Sequence, residues 1–528
     1  MSHAEAGELA SLNLNQSGVL HRKLKSRHMQ MIAFGGAIGA GLFIASGSAL
    51  YAGGPGSLMI GYIIVGTMIL FTLQALAEMT VLFPVNGAFY TYFVRFIDPS
   101  WGFAMGWDYA ISWLSLLPFE LIAACVTIEY WNDSISMAVW VSVFWVFLVI
   151  IQFFGVRGYG EVEFVLSLIK LLACVGFILF GIVANCGGID SDDRGYIGAR
   201  YWHDPGAFKN AFNGFAAVFV AAAFSFGGTE LVGLAAAEAD KPQKAIPKAT
   251  KQVIARICIF YLLNLFVLTL ILPSDDDRLL GASGANSAAS PFVLAIKKTG
   301  VSVLPSIFNA VITISVISVA NSCAFGSSRT LQAMAQARMA PQILAYVDTK
   351  GRPVWCLVVQ LACGLVAFIG LAAKGTVVLS WLLSLTGLCY FMIWASICLA
   401  HIRLRVAWAA QGFTLAQIPY RAPCGIYGSY IGLTINILCL MAIFYNALYP
   451  TPGATPNVEH FFNVYLAAPV VLCLYLGRKL YKKDWSLYIR ADDMDLRTGA
   501  RLLDETSSLE QEPKASENLL KRLFKAFV

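Results

Sequence analysis

The feature that most constrains this chain is a succession of apolar runs, each about 20 residues long and almost free of charge. Such runs match the hydrocarbon thickness of a bilayer, and a soluble core does not need them repeatedly. Charged residues make up 13% of the chain, against about a quarter in soluble proteins. The sequence therefore predicts an all-α polytopic membrane protein. We number its twelve expected transmembrane helices spans 1 to 12, at approximately 30–50, 57–81, 102–130, 136–154, 163–184, 210–236, 253–272, 302–326, 354–371, 377–400, 429–447 and 461–477.

Basic residues indicate how these spans are oriented. With the N-terminus placed in the cytoplasm, 29 of the 37 lysines and arginines fall in cytoplasmic segments, 7 fall outside and Lys170 lies within a span. This distribution follows the positive-inside rule. The acidic clusters "DSDD" and "SDDD" lie in external loops instead. We therefore expect both termini in the cytoplasm, and anionic lipid rather than nucleic acid explains the net charge of +6.

Two glycine clusters interrupt the apolar pattern, "FGGAIGAGLF" at 34–43 in span 1 and "FSFGGTE" at 224–230 in span 6. Gly35 and Gly39 form a G-x-x-x-G pattern, which could simply allow close helix packing. The second cluster favours the other interpretation, in which spans 1 and 6 are both broken near mid-membrane. Breaks at these positions are typical of two five-helix repeats of inverted topology. A phosphate-binding loop is excluded, because no G-x-x-x-x-G-K-[ST] pattern occurs.

Broken membrane helices expose backbone groups that can bind a solute. In span 1 we expect the outer half-helix to begin near Leu42, and the N–H groups at its start lie at a positive dipole end that suits a carboxylate. The carbonyl groups that end a half-helix suit an ammonium group. Both poles side by side predict a site for an α-amino acid. The predicted carboxylate ligands are Gly39, Ala40, Gly41 and Leu42, and the predicted amine ligands are Ile38, Phe224 and Ser225.

At these residues the chain closely resembles the fungal amino-acid permeases of the APC superfamily. The resemblance runs along nearly the whole chain, through "LKSRHMQMIAFGGAIGAGLF", "EVEFVLSLIK", "FSFGGTELVGLAAAEADKPQKAIPKA" and "LYIRADDMDLRTG". It implies a LeuT-like core of five plus five helices with discontinuous helices 1 and 6 and two extra C-terminal helices. It also implies proton-coupled uptake of amino acids at the plasma membrane, with a broad or neutral-preferring range like that of the general-type members.

Three ionisable residues within the spans are functional candidates, because charges inside a membrane are costly. Lys170 either extends to the interface or packs beside span 1. The resemblance implies the second position, with Lys170 as the proton carrier in place of a sodium ion. Glu230 either caps the inner half of span 6 or, as the resemblance implies, takes part in coupling and substrate positioning. Glu120 forms either an internal hydrogen bond or a substrate contact, and with Glu230 it could hold a proton.

The resemblance also implies residues for the gate and the pocket walls. Phe226, in the break of span 6, is expected to close the site from outside, beside Gly227 and Thr229. Ser112 on span 3 and Thr386 on span 10 are expected to contact the substrate side chain. We predict no catalytic residue, no metal ligand and no cofactor, with the proton as the coupling ion.

The predicted organisation has an N-tail at 1–29, a first repeat at 30–184, a second repeat at 210–400, two further helices at 429–477 and a C-tail at 478–528. Expected partners are the amino acid, the lipid bilayer and ubiquitin-ligase adaptors on the cytoplasmic tails, without nucleic acid. Two other functions stay open. One is an amino-acid sensor, either non-transporting or with a dual role. The other is a permease of the same fold for a polyamine or for proline only.

Overall fold

The computed structural model describes residues 24, 28–29, 31–32, 36, 38–132, 134–239, 242–282, 290–371, 375–450 and 455–501, without the side chains of 254–256, 258, 280–282 and 375–385. Gly35, most of the N-tail and the C-tail beyond 501 lie outside this part. Much of the cytoplasmic tails, on which ubiquitin-ligase adaptors are expected, therefore lies outside it too. Within the described part the chain is helical, with one isolated bridge between Leu24 and Ala239 and no β-strand. The predicted all-α membrane fold is confirmed.

The described α-helices are numbered here in chain order, leaving out a one-turn helix at Arg200–His203. They are α1 (Ser46–Leu82), α2 (Phe89–Phe96), α3 (Pro99–Glu129), α4 (Met137–Phe153), α5 (Gly155–Asn185), α6 (Ala211–Phe226), α7 (Leu231–Ala235), α8 (Pro242–Arg256), α9 (Asn264–Ile271), α10 (Pro291–Lys298), α11 (Leu304–Gln336), α12 (Val354–Gly364), α13 (Gly375–Ala410), α14 (Gly425–Leu448), α15 (Val458–Tyr465) and α16 (Ala467–Lys482). A π-helical turn, Gly41–Ala45, leads into α1, and a second, Ile257–Leu263, joins α8 to α9.

Eight described helices are long and apolar enough to cross a membrane, or nine when the bent pair α15 and α16 counts as one span. The segment Gly41–Leu82 contains the outer part of span 1 and the whole of span 2, and a non-helical residue, Gly54, interrupts it between the two. The segments at spans 4 and 7 are shorter, at Met137–Phe153 and Ile259–Ile271. The count of twelve spans therefore stays a prediction, although a helical segment lies at each expected position.

A sharp turn at Gly54 separates spans 1 and 2 within α1. Gly54 has φ 78° and ψ 172°, a conformation that strongly favours glycine, and Pro55 then restarts the helix. A side chain here would also meet Ala207 O at 2.8 Å. Span 2 can therefore fold back against span 6 without a loop.

The interior of the bundle is formed by α3, α6, α11 and α13. In the apolar stretches of α3 and α6, 78% of residues are buried, against 22% for the stretch containing α12 and 33% for α5. Helix α3 begins where the Asp98 carboxylate accepts a hydrogen bond from Trp101 N at 3.0 Å, with Pro99 in the first turn. The central helices therefore have a protein environment on most sides, where polar groups can be satisfied.

The first part of the predicted C-tail packs on the bundle at the ends of α1, α2 and α13. Ile489 N donates to Ile97 O at 3.0 Å, and Arg95 donates to Thr498 O at 2.9 Å. Arg501 N donates to Leu82 O at 2.9 Å. The chain up to residue 501 is therefore attached to the face expected to be cytoplasmic.

Candidate functional site

The predicted break in span 1 lies where the glycine cluster indicated it. The helix is interrupted between Ile32 and Ala40, and the residues described in that interval lie in turns or bends. Ala40 already has helical φ and ψ, and Phe43 N donates to Gly39 O at 3.1 Å. The outer half-helix therefore begins about two residues before Leu42, where we had expected it. Its first N–H groups precede the intrahelical hydrogen bonds and face buried surroundings.

The predicted break in span 6 lies between α6 and α7. Helix α6 ends at Phe226, and Gly227 leaves the helical region with φ −56° and ψ 140°. Gly228 follows with φ +93°, a conformation accessible mainly to glycine. Helix α7 begins at Leu231. The two glycines therefore end the outer half-helix and turn the chain into the inner one.

The two breaks contact each other directly. A Cβ atom added at Gly41 would lie 2.7 Å from Phe224 O and 2.6 Å from Ser225 Cα. A Cβ atom at Gly36 would lie 2.9 Å from a methyl group of Leu231. Glycine is therefore needed in span 1 because the backbone of span 6 occupies the place of a side chain.

The predicted amine ligands lie close to this junction, but their backbone carbonyl groups have different surroundings. The carbonyl group of Phe224 faces Gly41, and Ile38 is fully buried. The carbonyl group of Ser225 already accepts a hydrogen bond from the Tyr261 hydroxyl at 2.9 Å. A carbonyl oxygen has two lone pairs, so Ser225 retains a place for a second donor. The binding roles of all seven backbone ligands stay predictions.

The aromatic side chains at the break are arranged differently from the expected gate. The ring of Phe226 packs against Tyr261 at 4.6 Å and Tyr62 at 5.8 Å, on the side of spans 2 and 7. The ring of Phe224 instead meets Phe119 on α3, edge to face at 6.0 Å. Phe224 is therefore better placed than Phe226 to close the space between α3 and α6, while the gating role itself stays a prediction.

Glu230 is held by donors from three elements. Tyr109 on α3 donates to Oε1 at 2.8 Å, Trp394 on α13 donates to Oε2 at 3.3 Å, and Gly228 N donates to Oε1 at 3.3 Å. Glu230 occupies the N-cap position of α7, but its side chain makes no capping hydrogen bond there. Its carboxylate therefore links the break of span 6 to α3 and α13 rather than capping the inner half-helix.

Two of the predicted site residues, Glu120 and Thr229, carry polar side-chain atoms without a hydrogen-bond partner among the described residues. Both carboxyl oxygens of Glu120 and the hydroxyl of Thr229 are buried, and no described residue hydrogen-bonds to them. Buried polar groups are normally satisfied, so such atoms mark a place for a bound polar group or water. The internal hydrogen bond that we considered for Glu120 is not made by the described residues.

Ser112 and Thr386 are brought together as expected for spans 3 and 10. The Thr386 hydroxyl lies 3.5 Å from the carbonyl oxygen of Ser112, and both residues are buried. The phenol of Tyr390, one turn further along α13, contacts the position of a Cβ atom at Gly227. These residues line the same side of the junction, and their contact with a substrate stays a prediction.

Lys170 is fully buried on α5, and its ammonium group donates to Ser318 on α11 at 2.8 Å. It therefore does not extend to the membrane interface. A Cβ atom at Gly39 would contact Val319, the next residue of α11. Lys170 thus lies beside the break of span 1, and its electrostatic partners include Glu120.

The sequence analysis did not identify Tyr109, Trp394, Ser318 or Glu163 as site residues. One of them had a detectable signal, because Glu163 precedes Lys170 by seven residues and so lies two helical turns away on the same face. The other three residues lie more than 100 positions along the chain from the site residues that they contact. Among the described residues, no group of three or more His, Cys, Asp or Glu side chains is arranged to hold a metal ion.

Two broken helices that contact each other inside the helical bundle, with buried ionisable side chains around them, are typical of membrane transporters. The amino acid permease family model matches residues 28–490. The general amino-acid permease GAP1 of Saccharomyces cerevisiae is 49% identical over 491 residues, covering 92% of this chain and 81% of the relative. GAP2 of Candida albicans, also a general amino-acid permease, is 48% identical over 502 residues, covering 95% and 84%. Cationic amino acid transporter 1 of Schizosaccharomyces pombe is 48% identical over 515 residues, covering 96% and 86%. The chain belongs to the amino acid permease family.

Proposed function

We propose that this protein is a proton-coupled amino-acid symporter of the plasma membrane, with both termini in the cytoplasm. The observation that carries the proposal is the contact between the two helix breaks, where the backbone of Phe224 faces Gly41. The start of one half-helix and the end of another meet there, so positive and negative dipole ends lie side by side. An α-amino acid carries the complementary pair of charges on two groups bonded to the same carbon atom.

The binding step follows from this geometry. The carboxylate of the substrate accepts hydrogen bonds from the N–H groups of Gly39 to Leu42. The ammonium group of the substrate donates to the carbonyl groups of Ile38 and Phe224. The side chain then lies toward α3 and α13, near Ser112 and Thr386. Because the main-chain contacts are shared by every α-amino acid, this arrangement favours a broad range. Two relatives are named general amino-acid permeases, which supports the same range.

The coupling step uses the buried lysine. Lys170 packs beside the break of span 1, so a proton on its ammonium group stabilises the conformation in which the site is closed to the cytoplasm. Loss of the proton removes a charge from a dry interior and weakens the contact with α11. Substrate and proton then leave on the same side, and the empty carrier returns by alternating access.

A cationic cargo is the second candidate. Glu230 and Glu120 are buried near the pocket, and Glu230 has hydrogen-bond donors but no salt bridge among the described residues. One close relative is named a cationic amino acid transporter. Lysine or arginine could place its side-chain charge near these carboxylates. A polyamine would lack the carboxylate that the span 1 N–H groups are arranged to bind.

The test is uptake of radiolabelled acidic, basic, neutral and imino acids at two external pH values, in cells that lack their own amino-acid permeases. We expect uptake of several neutral amino acids, faster at the lower pH. Glu120→Gln should flatten that pH dependence while leaving the amount of protein at the surface unchanged. The absence of uptake for every compound, together with saturable binding of one of them, would favour the sensor. Uptake independent of pH would contradict proton coupling.

A further inference from the structure

A chain of buried polar side chains leads from Lys170 along α5 and α11. The Lys170 ammonium group donates to Ser318 Oγ at 2.8 Å, and Ser318 Oγ donates to Glu163 Oε1 at 2.5 Å. All three side chains are fully buried. The hydroxyl group of Ser318 therefore bridges an ammonium group and a carboxylate, accepting from one and donating to the other.

The chain of contacts continues toward the end of α4. Asn321 Nδ2 donates to Glu163 Oε2 at 3.5 Å, and Gln152 Nε2 donates to Asn321 Oδ1 at 3.0 Å. Gln152 is the penultimate residue of α4, at the end expected to face the cytoplasm. Along α5, Glu163 lies about 10 Å nearer to that face than Lys170, at 1.5 Å per residue. The amide of Asn321, which itself accepts a hydrogen bond from Gln152, contacts the Glu163 carboxylate between Lys170 and the cytoplasmic edge.

We propose that Glu163 receives the coupling proton from Lys170 through the Ser318 hydroxyl and is the group from which the proton leaves to the cytoplasm. This inference rests on the proposed function, because it takes Lys170 as the proton carrier. It adds a separate exit for the proton, along α5 and α11, beside the route of the amino acid between spans 1 and 6.

The transfer is balanced and needs no other reactant. One N–H bond of the Lys170 ammonium group breaks as its proton bonds to Ser318 Oγ. The original O–H bond of Ser318 breaks as that proton bonds to Glu163 Oε1. An ammonium group and a carboxylate become an amine and a carboxylic acid, and the serine is regenerated. When the bundle opens to the cytoplasm, the carboxylic acid passes its proton to water.

Other described titratable groups lie around this series of hydrogen bonds, and none of these described groups links Lys170 to Glu163. Glu120 on α3 faces Lys170 from the substrate side, but no described residue hydrogen-bonds to its carboxyl oxygens. Its place fits proton supply to Lys170 rather than release. Cys174 on α5 interacts electrostatically with Lys170, and Tyr159 on α5 interacts with Glu163. Tyr159 also interacts with two groups of α11, Cys323 and Arg329. Tyr159 lies one turn below Glu163 and bonds Ser322 at 3.3 Å rather than Ser318.

The test uses the full-length protein in proteoliposomes, with radiolabelled L-alanine as the probe. Net accumulation under an inward proton gradient needs proton release inside, whereas exchange against internal L-alanine can proceed with the proton retained. Glu163→Gln keeps the shape and can still accept from Ser318, but it cannot take up a proton. We expect accumulation to fall at least about tenfold while exchange stays within about twofold of the wild type.

A pair of variants at Ser318 tests the bridge itself. Ser318→Ala removes the hydroxyl group and should reproduce the loss of accumulation, whereas Ser318→Thr keeps it and should restore accumulation. Glu161→Gln is the matched control, because Glu161 lies on the same helix but is 43% exposed and pairs with His28. Its accumulation should equal that of the wild type.

Several results would overturn the proposal. They are normal accumulation by Glu163→Gln, equal loss of accumulation and exchange in that variant when it is folded, or normal accumulation by Ser318→Ala. If Glu163→Gln does not fold, the two Ser318 variants decide the question alone. Failure of the proposed function has a different signature, because the wild-type protein itself would then show no gradient-driven accumulation.

Discussion

The contact between the two helix breaks predicts a severe effect of the smallest substitution at Gly41. In Gly41→Ala the new Cβ atom would lie 2.6 to 2.7 Å from three backbone atoms of Phe224 and Ser225. Backbone cannot rotate away, so the two half-helices must separate by nearly 1 Å to reach ordinary contact. Overpacking of this kind costs about 1–3 kcal/mol. Because the distorted contact is the proposed substrate site, the same cost applied to transport is a loss of about 5- to 150-fold in uptake efficiency.

The assay is initial-rate uptake of L-alanine, normalised to the amount of folded protein measured by fluorescence-detected size-exclusion chromatography. Gly176→Ala is the matched control, since Gly176 lies within α5 and a Cβ atom there would meet nothing within 4 Å. Alanine at Gly176 should preserve uptake and improve helix stability slightly. Equal uptake by Gly41→Ala and Gly176→Ala would refute the reasoning, because span 6 would then not restrict span 1 at this point.

Three further predictions concern other contacts. Tyr109→Phe removes a donor to buried Glu230, a hydrogen bond worth about 1.5–3 kcal/mol, so uptake normalised to the amount of folded protein should fall about tenfold or more; unchanged normalised uptake would contradict this. Arg329→Met breaks the buried ion pair with Glu238 at 2.7 Å and should cost about 3–5 kcal/mol of stability, measured as a lower melting temperature in detergent. Adding Glu238→Gln to this variant removes the unpaired charge and should recover part of the lost melting temperature. Arg278 and Lys298 lower the pKa of Asp276, which lies in a loop expected to be external, so Asp276→Asn should lower the stability of the folded protein by about 0.2–1 kcal/mol at both pH 7 and pH 5. In thermal melts, the stability difference between the variant and the wild type should shrink below about pH 4.

The helix breaks are predictable from the sequence because glycine clusters are unfavourable in a membrane helix unless the backbone itself has a role. Helix α6 ends at Phe226, directly before the glycine pair Gly227 and Gly228 that predicts the break. In span 1 the cluster identifies the break, but the outer helix begins at Ala40 rather than near Leu42. The error of two residues reflects the π-helical turn that follows, which local composition does not encode.

The directions of side chains could not be predicted in the same way. Phe224 and Phe226 are two residues apart in one helical turn, so they must face different neighbours. Which of them faces α3 depends on how α6 is rotated in the bundle, and that is set by packing against Tyr62 and Tyr261. A sequence motif can identify an aromatic gate at the break without selecting the residue.

The polar chain beyond Lys170 shows the same limit at longer range. Glu163 shares a helix face with Lys170, so the sequence already contains a relation between the two. Ser318 lies 148 residues from Lys170 in the chain, among many serines with nothing to distinguish it. Only the packing of α5 against α11 brings the hydroxyl group between the two charges.

The central claim is that an α-amino acid binds at the contact between the two helix breaks. The most direct measurement is a cryo-electron microscopy map of the full-length protein with L-alanine bound. The account predicts density between the two breaks, with the substrate carboxylate about 3 Å from the N–H groups of Gly39 to Leu42 and the ammonium group near Phe224 O. Continuous helical density through Gly39 or Gly227, or a substrate bound away from both, would contradict it.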